Sequence, residues 1–338
     1  MKRPTIVDIA RAAGVSKGAV SYALNGRPGV SADTRARILQ VAGELGWVPS
    51  SAARALSNHR ADAVGMVAFR EPEVLWTEPY FMRVIAGVER TLAERGVALM
   101  LSTVHDTETE LDTYRRWWAG RRIDGVLLFD MRARDPRPAL LRSLGTPAVV
   151  FGAQRAYRGI PCTRVEDRHA MDKAVTHFAE LGHERIARVS GPLRLEHAAL
   201  RWRYFDEACR ATYGRTQPQL ATDYTARGGL ACTRRLLASR RPPTAIIYDN
   251  DVMAAAAVTE LTSTGVRIPA DLAVLAWDDS PLCELVRPAV TAFTHDVTTE
   301  ASTAARLLLD HVETGGASDV WFDARVLSVR ASTTSSSR

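Results

Sequence analysis

Residues 5 to 25 read TIVDIARAAGVSKGAVSYALN, and the spacing of their apolar positions decides the first part of the fold. Thr5 followed three residues later by Asp8 has the form of a capping box, and Gly14 is a helix stop. Ile6, Ile9, Ala10 and Ala13 make one buried stripe. Val15 leads into Ser16, a second N-cap, so a short turn separates two helices. In the second helix Val20, Ala23 and Leu24 pack against the first, which leaves Lys17, Gly18, Ser21 and Tyr22 on the opposite face. A third helix starts near Ser31, with Ile38, Val41, Ala42 and Leu45 as its apolar face and Gly46 as its stop. The pattern predicts a three-helix unit with a helix-turn-helix at its front.

Charge gives this unit a partner. The chain has 338 residues and a formal net charge of +6. Residues 1 to 60 contain nine Lys and Arg against three Asp and Glu, so the whole excess lies there and the rest balances. A basic module joined to a neutral body points to a polyanion at one end. A polar helix face near an N-cap suits the major groove of duplex DNA, where Lys17 can donate to guanine and Tyr22 can touch a thymine methyl or a phosphate. Gly18 costs about 1 kcal/mol against Ala in a helix and serves close backbone approach.

Beyond it, WVPSSAARALSNHRA spans residues 47–61; Pro49 blocks continuation and Ser50 can cap about two further turns. An isolated helix that short is marginal in water, so it is expected to order on docking. Leu56 has no core to join and fits a wedge between base steps of a minor groove.

The sequence TIVDIARAAGVSKGAVSYALNGRPGVSADTRARILQVAGELGWVPSSAARALS resembles the DNA-binding head and hinge of the lactose repressor/galactose repressor family of bacterial regulators, nearly gap-free over residues 4–57 and more thinly to about residue 330. The resemblance implies DNA contacts from Thr5, Ser16, Lys17, Gly18, Ser21, Tyr22, Asn25 and Ser31 in the head and from Ala53 and Leu56 in the hinge. Ala19 stands where the family usually has Thr, and Tyr22 where it usually has Arg, so the DNA sequence read is this chain's own.

From about residue 62 the texture changes. AVGMVAF, VALMLST, DGVLLFD, PAVVFG, RIARVSG, TAIIYDND and LAVLAWDD alternate with amphipathic stretches at 81–94, 108–119, 167–181, 198–212, 228–239 and 252–264. Such alternation predicts parallel sheets covered on both faces. The expected architecture is an N-terminal all-α helix-turn-helix head plus an α/β, periplasmic-binding-protein-like core of two doubly wound lobes, the last point being implied by the resemblance. Its parts are the head at 1–48, a hinge helix and linker at 49–60, and an effector-binding and dimerisation core at 61–330. Lobe 1 takes about 61–160 and 292–319, and lobe 2 about 162–290 and 320–330. The polar end ASTTSSSR, 331–338, reads as a disordered tail.

Ligands of open α/β sheets gather at the carboxyl ends of strands. TAIIYDND delivers Asp249, Asn250 and Asp251 there, and LAVLAWDDS delivers Trp277, Asp278 and Asp279. Carboxylates and amides bond hydroxyls, and an indole covers the apolar face of a sugar ring. Arg201, near a helix start, can donate a planar fork. By the resemblance Arg201, Asn250 and Asp278 match effector-contacting positions, while Phe81, Trp277 and His295 face the cleft. Asp251 and Asp279 also read as helix N-caps.

These features predict a transcriptional regulator, acting as a repressor, that binds a palindromic DNA operator as a homodimer and responds to a small-molecule effector, a sugar or related metabolite. No cofactor or metal is expected: the four cysteines are far apart and show no zinc spacing. No apolar run reaches membrane-spanning length, and the N-terminal stretch reads as charged and then amphipathic, without the apolar run of a secretory leader, so a cytoplasmic protein is expected. A solute-binding protein for transport is the alternative, disfavoured by the basic head. An enzyme is the third reading; Walker, GxSxG and HExxH motifs are absent, though the Asp pairs could serve a metal or glycosidase site.

Overall fold

The computed structural model describes residues 4–47, 60–70 and 78–334. The chain divides into two compact units, Met1–Ala61 and Asp62–Arg338.

The first unit holds α1 (Ile6–Ala13), α2 (Lys17–Leu24) and α3 (Ala32–Glu44). Asp8 accepts from the Thr5 amide at 2.8 Å and from its hydroxyl at 2.7 Å, and Gly14 adopts φ +64 to end α1. Ser16 caps α2 by accepting from Ala19 N–H, and Ser31 caps α3 by accepting from Thr34 N–H. Ile9, Ala10, Ala13, Val20, Ala23, Ile38 and Ala42 close the core, with Trp47 packed against it. Leu45 departs from expectation. It is the C-cap of α3 and stays exposed, since the helix has ended before its side chain can turn inward. The predicted hinge helix, with Ala53 and Leu56, lies outside the described residues.

The second unit runs β1 (Ala63–Phe69), α4 (Pro79–Glu94), β2 (Ala98–Val104), α5 (Thr107–Ala119), β3 (Gly125–Leu128), α6 (Arg137–Leu144), β4 (Ala148–Ala153), β5 (Cys162–Arg164), α7 (Asp167–Glu180), β6 (Ile186–Ser190), α8 (Glu196–Tyr213), β7 (Gln219–Ala221), α9 (Ala226–Leu237), β8 (Ala245–Tyr248), α10 (Asp251–Ser263), β9 (Ala273–Ala276), α11 (Pro281–Leu285), β10 (Thr291–Thr294), α12 (Val297–Thr314), β11 (Val320–Trp321) and β12 (Val326–Ser328). Two six-stranded sheets result, ordered β11-β5-β4-β3-β1-β2 and β12-β10-β9-β8-β6-β7. The first is wholly parallel, and in the second β12 alone runs antiparallel, beside β10.

Each sheet is buried on both faces, because successive side chains of a strand point to opposite sides. In lobe 2, Ile246 and Tyr248 pack with α9 and α10 through Leu236, Met253 and Val258. Their neighbours Ala245 and Ile247 pack with α7 and α8 through Ala174, Phe178 and Phe205. In lobe 1, α4 and α12 cover one face of the sheet. They approach so closely at Gly87 that a Cβ there would stand 2.3 Å from the Thr298 carbonyl oxygen.

The three crossings between lobes fall later than the sequence suggests. Cys162–Arg164 pairs with β4 in the first sheet, Thr291–Thr294 pairs with β9 in the second, and Val320–Trp321 returns to the first. Lobe 1 therefore keeps the residues just after 161, and lobe 2 keeps those just after 291. Strands of two to four residues display no period of their own, so pairing alone assigns them. The reading of 331 onward as a disordered tail is corrected for 331–334: Ser332 is fully buried, its hydroxyl donates to the Val274 carbonyl at 2.6 Å, and Thr333 bonds Thr291.

Candidate functional site: an interlobe cleft and a DNA-reading helix

A cleft with about 750 Å³ of space, continuous with open solvent, lies between the two lobes, at the carboxyl ends of both sets of strands. Strand β1 delivers Arg70, β3 delivers Phe129 and Asp130, and β4 delivers Phe151 and Gly152. From lobe 2, β8 delivers Asp249, β9 leads to Asp278, and α8 contributes Glu196, His197 and Arg201. Tyr80, Tyr224, Glu300 and Arg325 complete the walls.

The lining carries six carboxylates (Glu78, Asp130, Glu196, Asp249, Asp278, Glu300) against three guanidiniums (Arg70, Arg201, Arg325), so it is acidic. Every one of those carboxylates is already engaged by a basic side chain. Arg70 grips Asp130 at 2.6 Å and also Glu78. Asp249 receives a bidentate fork from fully buried Arg188 at 2.8 and 2.6 Å. His295 Nε2 lies 2.7 Å from Glu300, and Arg325 reaches Asp278 at 3.3 Å. Arg155 holds Glu196 at 2.6 Å.

Asp167, the first residue of α7, is the hub. It accepts from Arg201 at 2.6 Å and from Arg325 at 3.0 Å, although it does not face the cleft itself. Burial alone would raise its pKa, but the two guanidiniums hold it at about 2. Burial pushes Glu78 up to about 7 against the pull of Arg70, and pushes Asp278 up too. Burial and nearby Arg201 bring His197 down to about 4, so its imidazole is neutral at pH 7. His197 Nε2 and the Tyr224 hydroxyl stand 2.8 Å apart. Asp130 and Tyr224 both have positive φ, +50 and +71. For a Tyr that backbone is strained, by about 1–3 kcal/mol, and the Asn250 amide bond to its carbonyl helps to hold it.

On one side the cleft mouth is clasped shut. The Glu196 amide donates to Met131 O at 2.7 Å, Arg132 and Leu195 form an isolated antiparallel bridge, and the Glu196 carboxylate takes both Arg155 and the Tyr157 hydroxyl from lobe 1. A ligand leaving on this side has to part these contacts. Glu196→Gln keeps the shape and removes the charge, so it is expected to speed ligand dissociation about tenfold, equivalent to about 1.4 kcal/mol. Stopped-flow displacement measures this; an unchanged off-rate removes the clasp from the release path.

The residues singled out from sequence divide. Arg201 and Asp278 line the cleft, and His295 lines a smaller adjoining recess with Asp251, Asp278 and Arg325. Three readings are corrected. Phe81 is 2% exposed and packs into the lobe 1 core against Phe129; Tyr80, one position earlier on α4, takes the cleft place. Trp277 has no exposed surface, because strand alternation sends its indole toward Phe293, and Arg201 and Arg325 cover it at 4.6 and 5.6 Å. Asn250 caps α10 by accepting from Met253 N–H, which turns its amide away from the lining. Asp251 follows that cap, and Asp279 pairs with Arg330 instead of capping α11, which Ser280 does. Arg70 and Asp130 were overlooked, though both sit at strand ends where the same rule applies. Arg325 carries no sequence signal.

In the head, Thr5, Ser16, Lys17, Gly18, Tyr22, Asn25 and Ser31 are exposed and Ser21 is half-buried. Thr5, Ser16, Asn25 and Ser31 also serve as caps, Asn25 by donating to the Ser21 carbonyl at 2.9 Å. Lys17 and Tyr22 have no such duty and project from α2. Tyr22 leans on Gly29: a Cβ added there would meet its ring at 3.2 Å, and Gly29 has φ +114. Gly29→Ala is therefore expected to cost about 1 kcal/mol of head stability and to displace Tyr22. Melting of the protein together with DNA selectivity profiling checks it; an unchanged base preference would take Tyr22 out of the readout.

Among the described residues no helix is long and apolar enough to cross a membrane, and no group of three or more His, Cys, Asp or Glu could hold a metal ion.

Comparison with known proteins agrees with both halves. Residues 5–50 match the family described as bacterial regulatory proteins, lacI family, and residues 175–333 match a periplasmic binding protein-like domain. The HTH-type transcriptional regulator CelR of Thermobifida fusca is 32% identical over 318 residues, covering 92% of each chain. The ribose operon repressor of Escherichia coli K12 is 28% identical, over 85% of this chain and 86% of its own. A solved CelR-cellobiose complex has a TM-score of 0.73 at 29% identity, spanning 98% of this chain and 100% of that one. The lac repressor dimer bound to operator and the anti-inducer ONPF shares the fold at TM-score 0.82, with 23% identity and 98% and 99% coverage. With its helix-turn-helix head and two-lobed core, the chain belongs to the lacI family of bacterial transcriptional regulators.

Proposed function

We propose that this regulator is a repressor that binds a palindromic operator as a homodimer, in the cytoplasm, and that an uncharged sugar in the interlobe cleft controls its affinity for DNA. One observation carries the effector class: the excess of carboxylates in a lining that also presents the rings of Tyr80, Phe129, Phe151 and Tyr224. Ion-paired carboxylates keep lone pairs for hydroxyl donors, guanidiniums donate to hydroxyl and ring oxygens, and aromatic faces cover C–H surfaces. A phosphate or carboxylate on the ligand would meet like charge. The named CelR-cellobiose complex supports a neutral saccharide. Arg201, Arg70 and Arg325 are the main donors in this reading, and Asp130, Asp249 and Asp278 the main acceptors.

Each lining carboxylate is held by a basic side chain, which suits fixed acceptors for ligand hydroxyls and favours binding over turnover. Control follows if the ligand prefers one lobe arrangement, because it can shift the DNA-binding equilibrium only by that difference in affinity. The experiment is calorimetric titration of uncharged mono- and disaccharides beside their phosphorylated counterparts, with anisotropy of a duplex selected from a randomised library. An uncharged sugar should bind and change duplex affinity. Binding confined to phosphorylated sugars would refute the effector class, and released hydrolysis products would refute the role as a binder.

A further inference from the structure

A second concavity lies at the other end of lobe 2. It has about 680 Å³ of open space, lined by Glu184, Arg185, Arg215, Arg240, Arg241 and Pro242. Arg185 precedes β6, Arg215 follows α8, and Arg240 and Arg241 sit in the turn leading to β8. The groove is therefore at the amino ends of the strands whose carboxyl ends build the interlobe cleft. Four guanidiniums face one carboxylate here, the reverse of the cleft's balance.

Two features distinguish the cluster from scattered surface charge. First, two of its four arms are held by backbone: Arg185 Nε donates to Pro242 O at 3.0 Å, and Arg215 Nη2 donates to Glu184 O at 3.1 Å. Gln217 donates to that same Glu184 carbonyl at 2.9 Å, and Thr244 N–H donates to Arg185 O at 2.8 Å, so the loops bearing the arginines are stitched together. Second, carbonyls are neutral acceptors and leave the positive charge uncompensated: among the described residues none of the four arginines forms an ion pair. Elsewhere in the core, arginines that converge are interleaved with acids, as Arg201 and Arg325 are by Asp167. In this groove no acid among the described residues is paired with them, although Glu184 lines it.

We propose that this groove binds a small molecule bearing two or more phosphate groups. Planar guanidinium forks match phosphate oxygens bidentately, and several converging on one concavity select clustered negative charge over a single anion. Its cavity volume, about 380 Å³, falls in the range of small-molecule sites, about 300–1,000 Å³, and its lining comes from three segments of the chain. Nucleic acid would be served by an extended stripe, and the basic head already offers one. The site is separate from the cleft and does not depend on what binds there.

The test titrates the full-length protein with inorganic tripolyphosphate, and with orthophosphate and sulfate at matched ionic strength. Tripolyphosphate is expected to bind at least tenfold more tightly than either single anion. Arg240→Ala/Arg241→Ala should weaken it at least tenfold, and Arg215→Ala independently by severalfold. Arg142→Ala/Arg306→Ala removes two exposed lobe 1 charges and should change it less than twofold; any contribution from the head is common to all variants and cancels. Equal losses in the lobe 1 control, or none in Arg240→Ala/Arg241→Ala, overturn the proposal. So does a tenfold loss of affinity for random-sequence duplex in that double variant without loss of tripolyphosphate binding, which makes the groove a nucleic-acid surface.

Discussion

Asp167→Ala is expected to lower the stability of the two-lobed core by about 3–5 kcal/mol, the scale for removing one member of a buried ion-paired cluster. The carboxylate stands between Arg201 and Arg325, which are 8% and 7% exposed at their side chains; its loss would strip Arg201 of its ion pair and leave Arg325 with only Asp278, at 3.3 Å. Arg201 lines the cleft, so ligand affinity falls with stability. The effect also sets a pH dependence. The folded pKa of Asp167, about 2, lies below the unfolded value of about 3.9. Its contribution is thus complete above pH 4 and disappears as pH falls toward 2. Urea unfolding at pH 7 and across that acid window checks both parts. A loss below 1 kcal/mol, or an acid limb identical in Asp167→Asn, would mean that Arg201 and Arg325 are held by other groups.

The larger effect in affinity is that of salt on operator binding. The first sixty residues, head and hinge together, carry the entire net charge of the chain, +6. A homodimer making six to ten phosphate contacts should lose roughly 10³–10⁵ in affinity between 50 and 200 mM salt, through release of condensed counterions. Anisotropy with the selected duplex over that range gives the slope directly. Lys17→Ala should reduce discrimination between duplexes more than it reduces the slope, because a base contact specifies and a phosphate contact positions. A nearly flat dependence would rule out a phosphate-dominated interface.

Much of this was legible in the sequence, for reasons that differ by element. The head was readable because its caps are local: Thr5, Asp8, Gly14, Ser16 and Ser31 act within four residues of themselves. The lobes were readable because strand–helix alternation survives without knowledge of pairing. The crossings were less so, since β5, β11 and β12 are two or three residues long and acquire their sheet only through distant partners. The cleft was half readable. Strand ends nominated Asp278 and could equally have nominated Arg70 and Asp130. Phe81 against Tyr80 is a matter of about 100° of helix rotation, which apolar periodicity does not resolve when both residues are aromatic. Trp277 shows the converse limit: an aromatic at a strand end looks like a sugar platform until Arg201 and Arg325 are found lying over it.

The anchoring of Ser332 and Thr333 bears on how this polypeptide can be handled. The Ser332 side chain and backbone bridge β9 and β10, receiving the Val274 and Thr291 amides at 3.0 and 2.8 Å. Ending the chain at 330 would open the seam between two central ribbons of lobe 2, although the stretch ASTTSSSR that follows resembles dispensable packaging. Appending a purification handle after Arg338 should leave that seam intact, and a differential scanning trace of the two products would tell them apart.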